Sequence, residues 1–218
     1  NILGNQAVTD IETNVATLGL TSAATSITET DGVILGASTV SSTLNLVAGG
    51  TISDSGDLSI TGTSTFDNSG VGSASNITLD NSNTFGGDVT ITTHAGSDVT
   101  INDSDAFAVQ SGLNVNNLSI TAGGDVTDLG DLDIDGTLTV SAVGQTVDLD
   151  GPGNAIDGAI SLTGDAVTLV DTGSTDIDLI SAGGTVNVTT GGATSVKGVI
   201  AGSQTVNLTL GGALTDGD

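Results

Sequence analysis

Apolar and polar residues alternate along most of this chain in short triplets, in which one residue separates two apolar ones. The triplets are Leu44–Leu46, Leu58–Ile60, Ile77–Leu79, Val89–Ile91, Val99–Ile101, Phe107–Val109, Leu118–Ile120, Leu132–Ile134, Leu138–Val140, Val147–Leu149, Ile160–Leu162, Val167–Leu169, Ile177–Leu179, Val186–Val188 and Val206–Leu208. A period of two predicts β-strands with one apolar and one polar face. Gly, Asp, Asn and Ser follow each triplet after a few residues, so the predicted strands are short and end in turns.

The strand pattern recurs as a longer internal repeat. The stretch Leu44–Phe66 returns as Leu118–Val140, and the two align without a gap, with twelve of the 23 aligned positions identical. Part of it returns again, in weaker form, at Val206–Asp218. Self-similarity of this kind is typical of an array of stacked repeats rather than of one compact core.

The triplets and the repeat together predict an all-β fold. No Asn-Gly pair joins two strands as a hairpin would require. We therefore expect a parallel β-helix, or β-solenoid, in which each triplet is one side of a coil of roughly 20 residues, as in other stacked repeats. Double glycines such as Gly49-Gly50 and Gly191-Gly192 are expected to supply positive φ at the corners.

We predict one continuous solenoid over 1–218, with 31–117 and 118–218 as the clearest repeat units. The segment 1–30 is interpreted as degenerate, irregular opening coils, and a short helix over 10–18 is the alternative. Neither end looks like the polar cap that repeat arrays need. We therefore expect the ends to continue in a longer chain or to meet another subunit.

Composition and charge narrow the possible partners. The chain has three Phe, no Tyr, Trp, Met or Cys, and 26 acidic residues against a single Lys, for a net charge of −25. Val, Ile, Leu and Ala must therefore fill the core, together with Phe66, Phe85 and Phe107. So acidic a chain is not expected to bind nucleic acid, whose phosphates need a basic footprint, nor an anionic membrane surface. No run of residues is long and apolar enough to predict a membrane span.

The acidic residues are the main candidates for chemistry. Asp54, Asp57, Asp103, Asp105, Asp148 and Asp150 are interpreted as solvated turn acids. Asp131, Asp133 and Asp135 are the preferred metal candidates, because three carboxylates at a spacing of two lie on one side of a straight strand. Carboxylate oxygens are ligands that Ca²⁺ prefers. No cofactor is expected to be required, and calcium is the one candidate ion.

Catalysis is not expected. A β-helix enzyme that cleaves acidic glycans would pair carboxylates with nitrogen bases, but His94 and Lys197 are far apart in sequence. Thr-x-Thr pairs such as Thr63/Thr65 raise the alternative of ice or mineral binding. Most coils carry Ser, Asn or Asp there instead, so we interpret these Thr residues as solvated strand positions.

Two further stretches carry a family resemblance. Ile77–Asn81 followed by Phe85–Val89, and Leu35–Val40 followed by Leu44–Asp57, resemble repeats of very large bacterial surface proteins, the filamentous-haemagglutinin-like adhesins and two-partner-secreted exoproteins. The resemblance covers about residues 31–218. It implies a right-handed parallel β-helix that is exported through an outer-membrane secretion partner to the surface of a Gram-negative-type cell.

These observations lead to one preferred function and one alternative. We expect a structural extracellular fibre or stalk that associates with itself end to end into a bacterial surface filament. The alternative is the shaft of a large adhesin whose acidic face binds calcium or a host or biofilm ligand.

Overall fold

The chain folds into two compact units, Asn1–Asp105 and Ala106–Asp218, called here the N-terminal and C-terminal units. The structure is a computed structural model that describes residues 2–3, 6–9, 17–70, 72–110, 112–202 and 205–217. The helix proposed over 10–18 falls almost entirely outside the described residues. Within them, every paired strand is parallel to its neighbours.

The strands are short in both units. In the N-terminal unit they are β1 (Ile2–Leu3), β2 (Gln6–Thr9), β3 (Leu20–Ser22), β4 (Thr25–Glu29), β5 (Val33–Leu35), β6 (Ser38–Val40), β7 (Leu44–Ala48), β8 (Ile52–Asp54), β9 (Leu58–Ile60), β10 (Ser64–Asp67), β11 (Ile77–Phe85), β12 (Val89–Thr92) and β13 (Val99–Asp103). In the C-terminal unit they are β14 (Phe107–Val109), β15 (Leu113–Val115), β16 (Leu118–Ala122), β17 (Val126–Asp128), β18 (Leu132–Ile134), β19 (Leu138–Ser141), β20 (Val147–Leu149), β21 (Ala155–Ile156), β22 (Ala159–Gly164), β23 (Val167–Asp171), β24 (Thr175–Ala182), β25 (Val186–Thr190), β26 (Thr194–Val196), β27 (Val199–Ala201), β28 (Val206–Leu210) and β29 (Leu214–Asp216).

Three parallel series of strands build the N-terminal unit. They run β2-β4-β7-β10-β12, β5-β8-β11-β13 and β1-β3-β6-β9-β11, with the long strand β11 shared by the last two. A coil therefore has three sides, as in β7, β8 and β9. Leu44 lies in register with Thr25 on one side and Ser64 on the other, in keeping with roughly 20 residues per coil.

The C-terminal unit repeats this arrangement. Its series are β14-β17-β20-β23-β25-β28, β15-β18-β21 and β16-β19-β22-β24-β26-β29, and β27 also pairs with β24. The all-β parallel β-solenoid predicted from the sequence is confirmed, with about ten turns of roughly 20 residues each. Its handedness and its continuity as one solenoid over 1–218 stay predictions. Among the described residues, no helix is long and apolar enough to cross a membrane.

Most of the triplets form the core as their pattern predicts. Side chains alternate between buried and more exposed along the strands, and Phe66, Phe85 and Phe107 are all buried. The rings of Phe66 and Phe85 meet edge to face, with centroids 5.9 Å apart. The internal repeat is also a structural repeat: β7 to β10 and β16 to β19 have the same succession of strand lengths, 5, 3, 3 and 4 residues.

In the triplet of strand β24, the residue that is buried differs from the predicted one. Ile177–Leu179 predicts that Ile177 and Leu179 both point inward, but Leu179 is exposed and Ile180 is buried in its place. The pairing of β22 with β24 shifts register at this point, so that Ser161 lies opposite Leu179 and Leu162 lies opposite Ile180. The irregularity turns every following side chain of β24 to the opposite face.

The double glycines have a different role from the predicted one. Among the described glycines, φ is positive at Gly112, Gly130 and Gly144, none of which belongs to a Gly-Gly pair. A Cβ added at Gly49 would lie 1.8 Å from the carbonyl oxygen of Thr30, and one at Gly191 would lie 2.1 Å from that of Thr172. These glycines are therefore required because the backbone of the preceding coil leaves no room for a side chain.

Candidate functional site

The preferred metal candidates lie on and beside strand β18. Asp131, Asp133 and Asp135 are all exposed, and they alternate with the buried Leu132 and Ile134. The prediction that the three carboxylates share one side of a strand is consistent with this alternation. Asp133 lies in register with Asn114 and Ala155, so no like charge is stacked directly on it.

Two of these carboxylates bind groups in adjacent coils. Asp131 Oδ1 accepts a hydrogen bond of 2.7 Å from the amide N–H of Gly153, and Asp133 Oδ2 accepts one of 2.5 Å from Asn114 Nδ2. Within the described ranges, no three His, Cys, Asp or Glu side chains are grouped so as to hold a metal ion. Calcium binding by Asp131, Asp133 and Asp135 stays a prediction.

Two of the six acids interpreted from the sequence as solvated, Asp54 and Asp103, are buried instead. Asp54 ends β8 and is buried beside the fully buried Asn83. Asn83 Nδ2 donates to Asp54 Oδ2 at 2.8 Å, and Asn83 Oδ1 accepts from the amide of Leu58 at 2.8 Å. The other oxygen, Asp54 Oδ1, accepts from Asn81 Nδ2 and from the amide of Asp80. Both Asp54 oxygens are therefore satisfied at this corner.

The C-terminal unit contains the same arrangement. Asn154 Nδ2 donates to Asp128 Oδ2 at 2.7 Å, and Asn154 Oδ1 accepts from the amide of Leu132 at 2.8 Å. Asp128 and Leu132 are the repeat partners of Asp54 and Leu58 when the two copies of the internal repeat are aligned. Repeat identity alone could not have located these corners, because the aligned pair Asp57 and Asp131 is identical too, yet both of its members are exposed.

A related corner uses hydroxyl groups. Asp171 Oδ2 accepts a hydrogen bond of 2.6 Å from Thr175 Oγ1, and its Oδ1 accepts from the amides of Ile156 and Gly173. In the next coil, the hydroxyls of Thr190 and Thr194 are 2.8 Å apart, in register with Asp171 and Thr175. Buried polar side chains need such partners, because an unmatched one costs the free energy of its lost hydration.

Burial and neighbouring charge alter the acid strength of two carboxyls in the C-terminal unit. Burial raises the pKa of Asp128, against the opposing effect of its hydrogen bonds from Asn154 and Gly151. Burial also raises the pKa of Asp148, and the negative charges of Asp150 and Asp128 raise it further. These groups hold protons more readily than ordinary aspartates.

The two nitrogen bases are in surface positions. Lys197 Nζ lies 3.2 Å from Asp178 Oδ1 and 3.8 Å from Asp176 Oδ2, at the surface of the C-terminal unit. His94 is exposed in the connection after β12, where its Nδ1 accepts a hydrogen bond from the amide of Gly96. The two side chains belong to different units, and each has its own local partners.

An open apolar cavity lies at the coil formed by β28 and β29. Its volume is about 490 Å³, and Val196, Val199, Val206, Leu208 and Leu214 line it with Thr215 and Asp216. Val206, Leu208 and Leu214 are 42%, 36% and 54% exposed. Their register partners in the preceding coil, Val186, Val188 and Thr194, are buried.

The fold and its corners define the chain as a parallel β-solenoid repeat protein. A family model described as repeats of unknown function (DUF5649) matches residues 21–92 and 96–163. The two matched segments cover well over half of the 218 residues, and the chain belongs to this family of repeats. No curated protein and no solved structure matches the chain significantly.

Proposed function

We propose that this protein is a structural extracellular fibre or stalk that associates end to end into a bacterial surface filament. The observation that carries the proposal is the exposed apolar surface of Val206, Leu208 and Leu214 on a coil whose register partners are buried one coil earlier. A further coil laid on this one would bury these side chains in the same way.

The chemistry of the coils supports a structural role. Most strands bond through their backbones to the coils on both sides, and the inward side chains are mainly apolar within each unit. The buried corners at Asp54 and Asp128 add hydrogen bonds between successive coils. Such a unit is extended simply by adding coils, because each repeat contacts only its neighbours.

The proposed joint is a parallel strand pairing with a second copy of the chain. Burying apolar side chains favours association by about 25 cal/mol for each Å² removed from water. The partner would contribute a coil whose strands pair in parallel with β28 and β29. The resemblance to filamentous-haemagglutinin-like adhesins supports the same site of action, the outer surface of a Gram-negative-type cell reached through an outer-membrane secretion partner.

Electron microscopy and sedimentation of the full chain over a range of concentrations test this proposal. We expect fibres whose length increases with concentration. Leu208→Asp should abolish them, because it places a charge in the apolar joint. Asn207→Asp is the matched control, since Asn207 is the neighbouring outward residue of β28, hydrogen-bonded to Asn187. Separate particles of the wild-type chain at every concentration would contradict end-to-end association.

The alternative function is the shaft of a large adhesin that binds calcium or a host or biofilm ligand. The row of exposed carboxylates at Asp131, Asp133 and Asp135 favours it. Calcium should then raise the melting temperature of the wild-type chain, and the triple Asp→Asn variant should lose that increase. An unchanged melting temperature on adding calcium or a chelator would remove this alternative.

A further inference from the structure

Asp103 occupies an unusual position for a carboxylate. It is the last residue of β13, is 1% exposed, and lies in register with the buried Asn83 of β11. The side-chain amide of Asn83 is already fully engaged. Its Nδ2 donates to Asp54 Oδ2 and to the carbonyl oxygen of Leu79, and its Oδ1 accepts from the amide of Leu58. No side-chain donor therefore reaches Asp103 from Asn83.

The two oxygens of Asp103 have unequal surroundings. Oδ1 accepts hydrogen bonds from the backbone amides of Phe85, at 3.3 Å, and Asp105, at 3.2 Å. Oδ2 is buried and accepts no hydrogen bond from any described residue. A buried charged oxygen without a donor is strongly destabilising, because it has lost its hydration without compensation.

The other buried aspartates lack this defect. Asp54, Asp128 and Asp171 each accept hydrogen bonds at both carboxylate oxygens. Asp103 alone among these four leaves one oxygen unpartnered within the described residues.

The charges around Asp103 do not compensate its own. The following turn carries Asp105, β11 carries the exposed Asp80, and Asp54 lies beyond Asn83. The unit that contains Asp103 has no Lys or Arg in its sequence, and its single His, His94, is exposed in the connection before β13. Every charged side chain that these strands and turns present is therefore acidic.

We propose that Asp103 is a proton-binding site that makes the N-terminal unit more stable in acid than at neutral pH. A proton on Oδ2 removes the uncompensated charge from the interior while Oδ1 keeps its two backbone hydrogen bonds. The direction in which the pKa of Asp103 is shifted agrees with this geometry. Burial raises the pKa of Asp103 and the charge of Asp105 adds to the rise, against the backbone hydrogen bonds from Asp105, Phe85 and Ser104.

The direction of the pH dependence follows from linkage. A carboxyl whose pKa is higher in the folded than in the unfolded chain binds more protons when folded, so folding is favoured as the pH falls. As the pH falls, the gain in stability begins near the pKa of Asp103 in the folded chain and is complete below 3.8, the ordinary pKa of an aspartate. Each pH unit between the folded-state pKa and the unfolded-state pKa changes the unfolding equilibrium constant about tenfold.

The test compares the wild-type chain with Asp103→Asn and Asp105→Asn between pH 7 and pH 4 in high salt. Salt screens the general repulsion among exposed acids, but acts much less on a buried group. We expect protection of the Phe85 amide against hydrogen exchange to increase as the pH falls in the wild type, after correction for the intrinsic exchange rate. Asp103→Asn should lose this increase, and Asp105→Asn should keep most of it.

Two results would overturn the proposal. One is an Asp103→Asn variant that retains the full pH dependence of Phe85 protection. The other applies even if that variant does not fold: a carbon-13 titration of the wild-type chain in which the Asp103 carboxyl titrates at the ordinary value.

Discussion

Asn83 Nδ2 donates a hydrogen bond of 2.8 Å to Asp54 Oδ2 across 29 positions of sequence. Asn154 and Asp128 form the same bond in the C-terminal unit, at 2.7 Å. In both pairs the asparagine also accepts a hydrogen bond from the backbone amide of a leucine, Leu58 or Leu132. One amide side chain thus satisfies a buried carboxylate and a buried backbone group at once.

Replacing Asn83 with Leu should strongly destabilise the N-terminal unit. The substitution keeps the branching of the side chain at Cγ but removes the hydrogen bonds to Asp54 Oδ2 and from the Leu58 amide, at a cost of about 3 kcal/mol in the free energy of unfolding. Chemical denaturation measures the change. Ser82→Ala, at the exposed position beside it, is the control and should change stability little. Equal stability of the two variants would show that the bridge is dispensable.

Ile120→Asp should prevent the chain from folding normally. Ile120 is 1% exposed in β16 and lies in register with Val140 of the next coil, which is also buried. An unpaired charge placed there costs several kcal/mol, roughly the whole stability of a typical domain. Circular dichroism and thermal melting report the loss. Thr121→Asp, at the neighbouring exposed position, should leave both signals near those of the wild type.

Gly62→Ala should destabilise the coil before β10, whereas Gly70→Ala should not. A Cβ at Gly62 would lie 2.3 Å from the carbonyl oxygen of Ser42, while one at Gly70 would have no atom within 4 Å. The expected measurement is a lower melting temperature for Gly62→Ala alone. At an unstrained position, loss of a glycine's flexibility in the unfolded chain would raise stability, so a similar decrease for both variants would contradict a specific effect of the preceding coil.

Asp148→Asn should raise stability at neutral pH and reduce its dependence on pH. The pKa of Asp148 is raised by burial and by the charges of Asp150 and Asp128, so the folded chain binds its proton more tightly than the unfolded chain. Stability is then lost as the pH rises through that pKa, and the neutral amide avoids the loss. The difference in melting temperature between pH 4 and pH 7 measures this loss of stability in the wild type and in the variant. An unchanged difference between the two pH values in the variant would contradict this assignment.

The strands could be predicted from the sequence because each triplet carries its own period of two. The register of β24 could not, since Leu179 and Ile180 are both apolar and either could face inward. Pairing with β22 decides between them, and that strand lies in the preceding coil. Local alternation thus locates a strand without deciding which of two adjacent apolar residues it buries.

The acids show a similar limit. Asp54 and Asp57 look alike in the sequence, yet Asp54 is buried and Asp57 is exposed. The difference depends on Asn83, a partner that no local pattern connects with Asp54. Asp131, Asp133 and Asp135 were predicted to share one side of a strand and do alternate with buried residues, because that prediction needed only the period of a single strand.

The parallel register between successive coils has a consequence for how the chain reaches its folded state. Paired residues are separated by about one coil: 19 positions for Thr25 and Leu44, 20 for Leu44 and Ser64, and 25 for Ser64 and Val89. Each loop to be closed is therefore short and of nearly constant length, which keeps the entropic cost of every closure similar. Folding can start at one coil and propagate to its neighbours. A chain delivered one end first, during synthesis or through a narrow opening, can complete each turn on the one before it while the remainder is still unfolded.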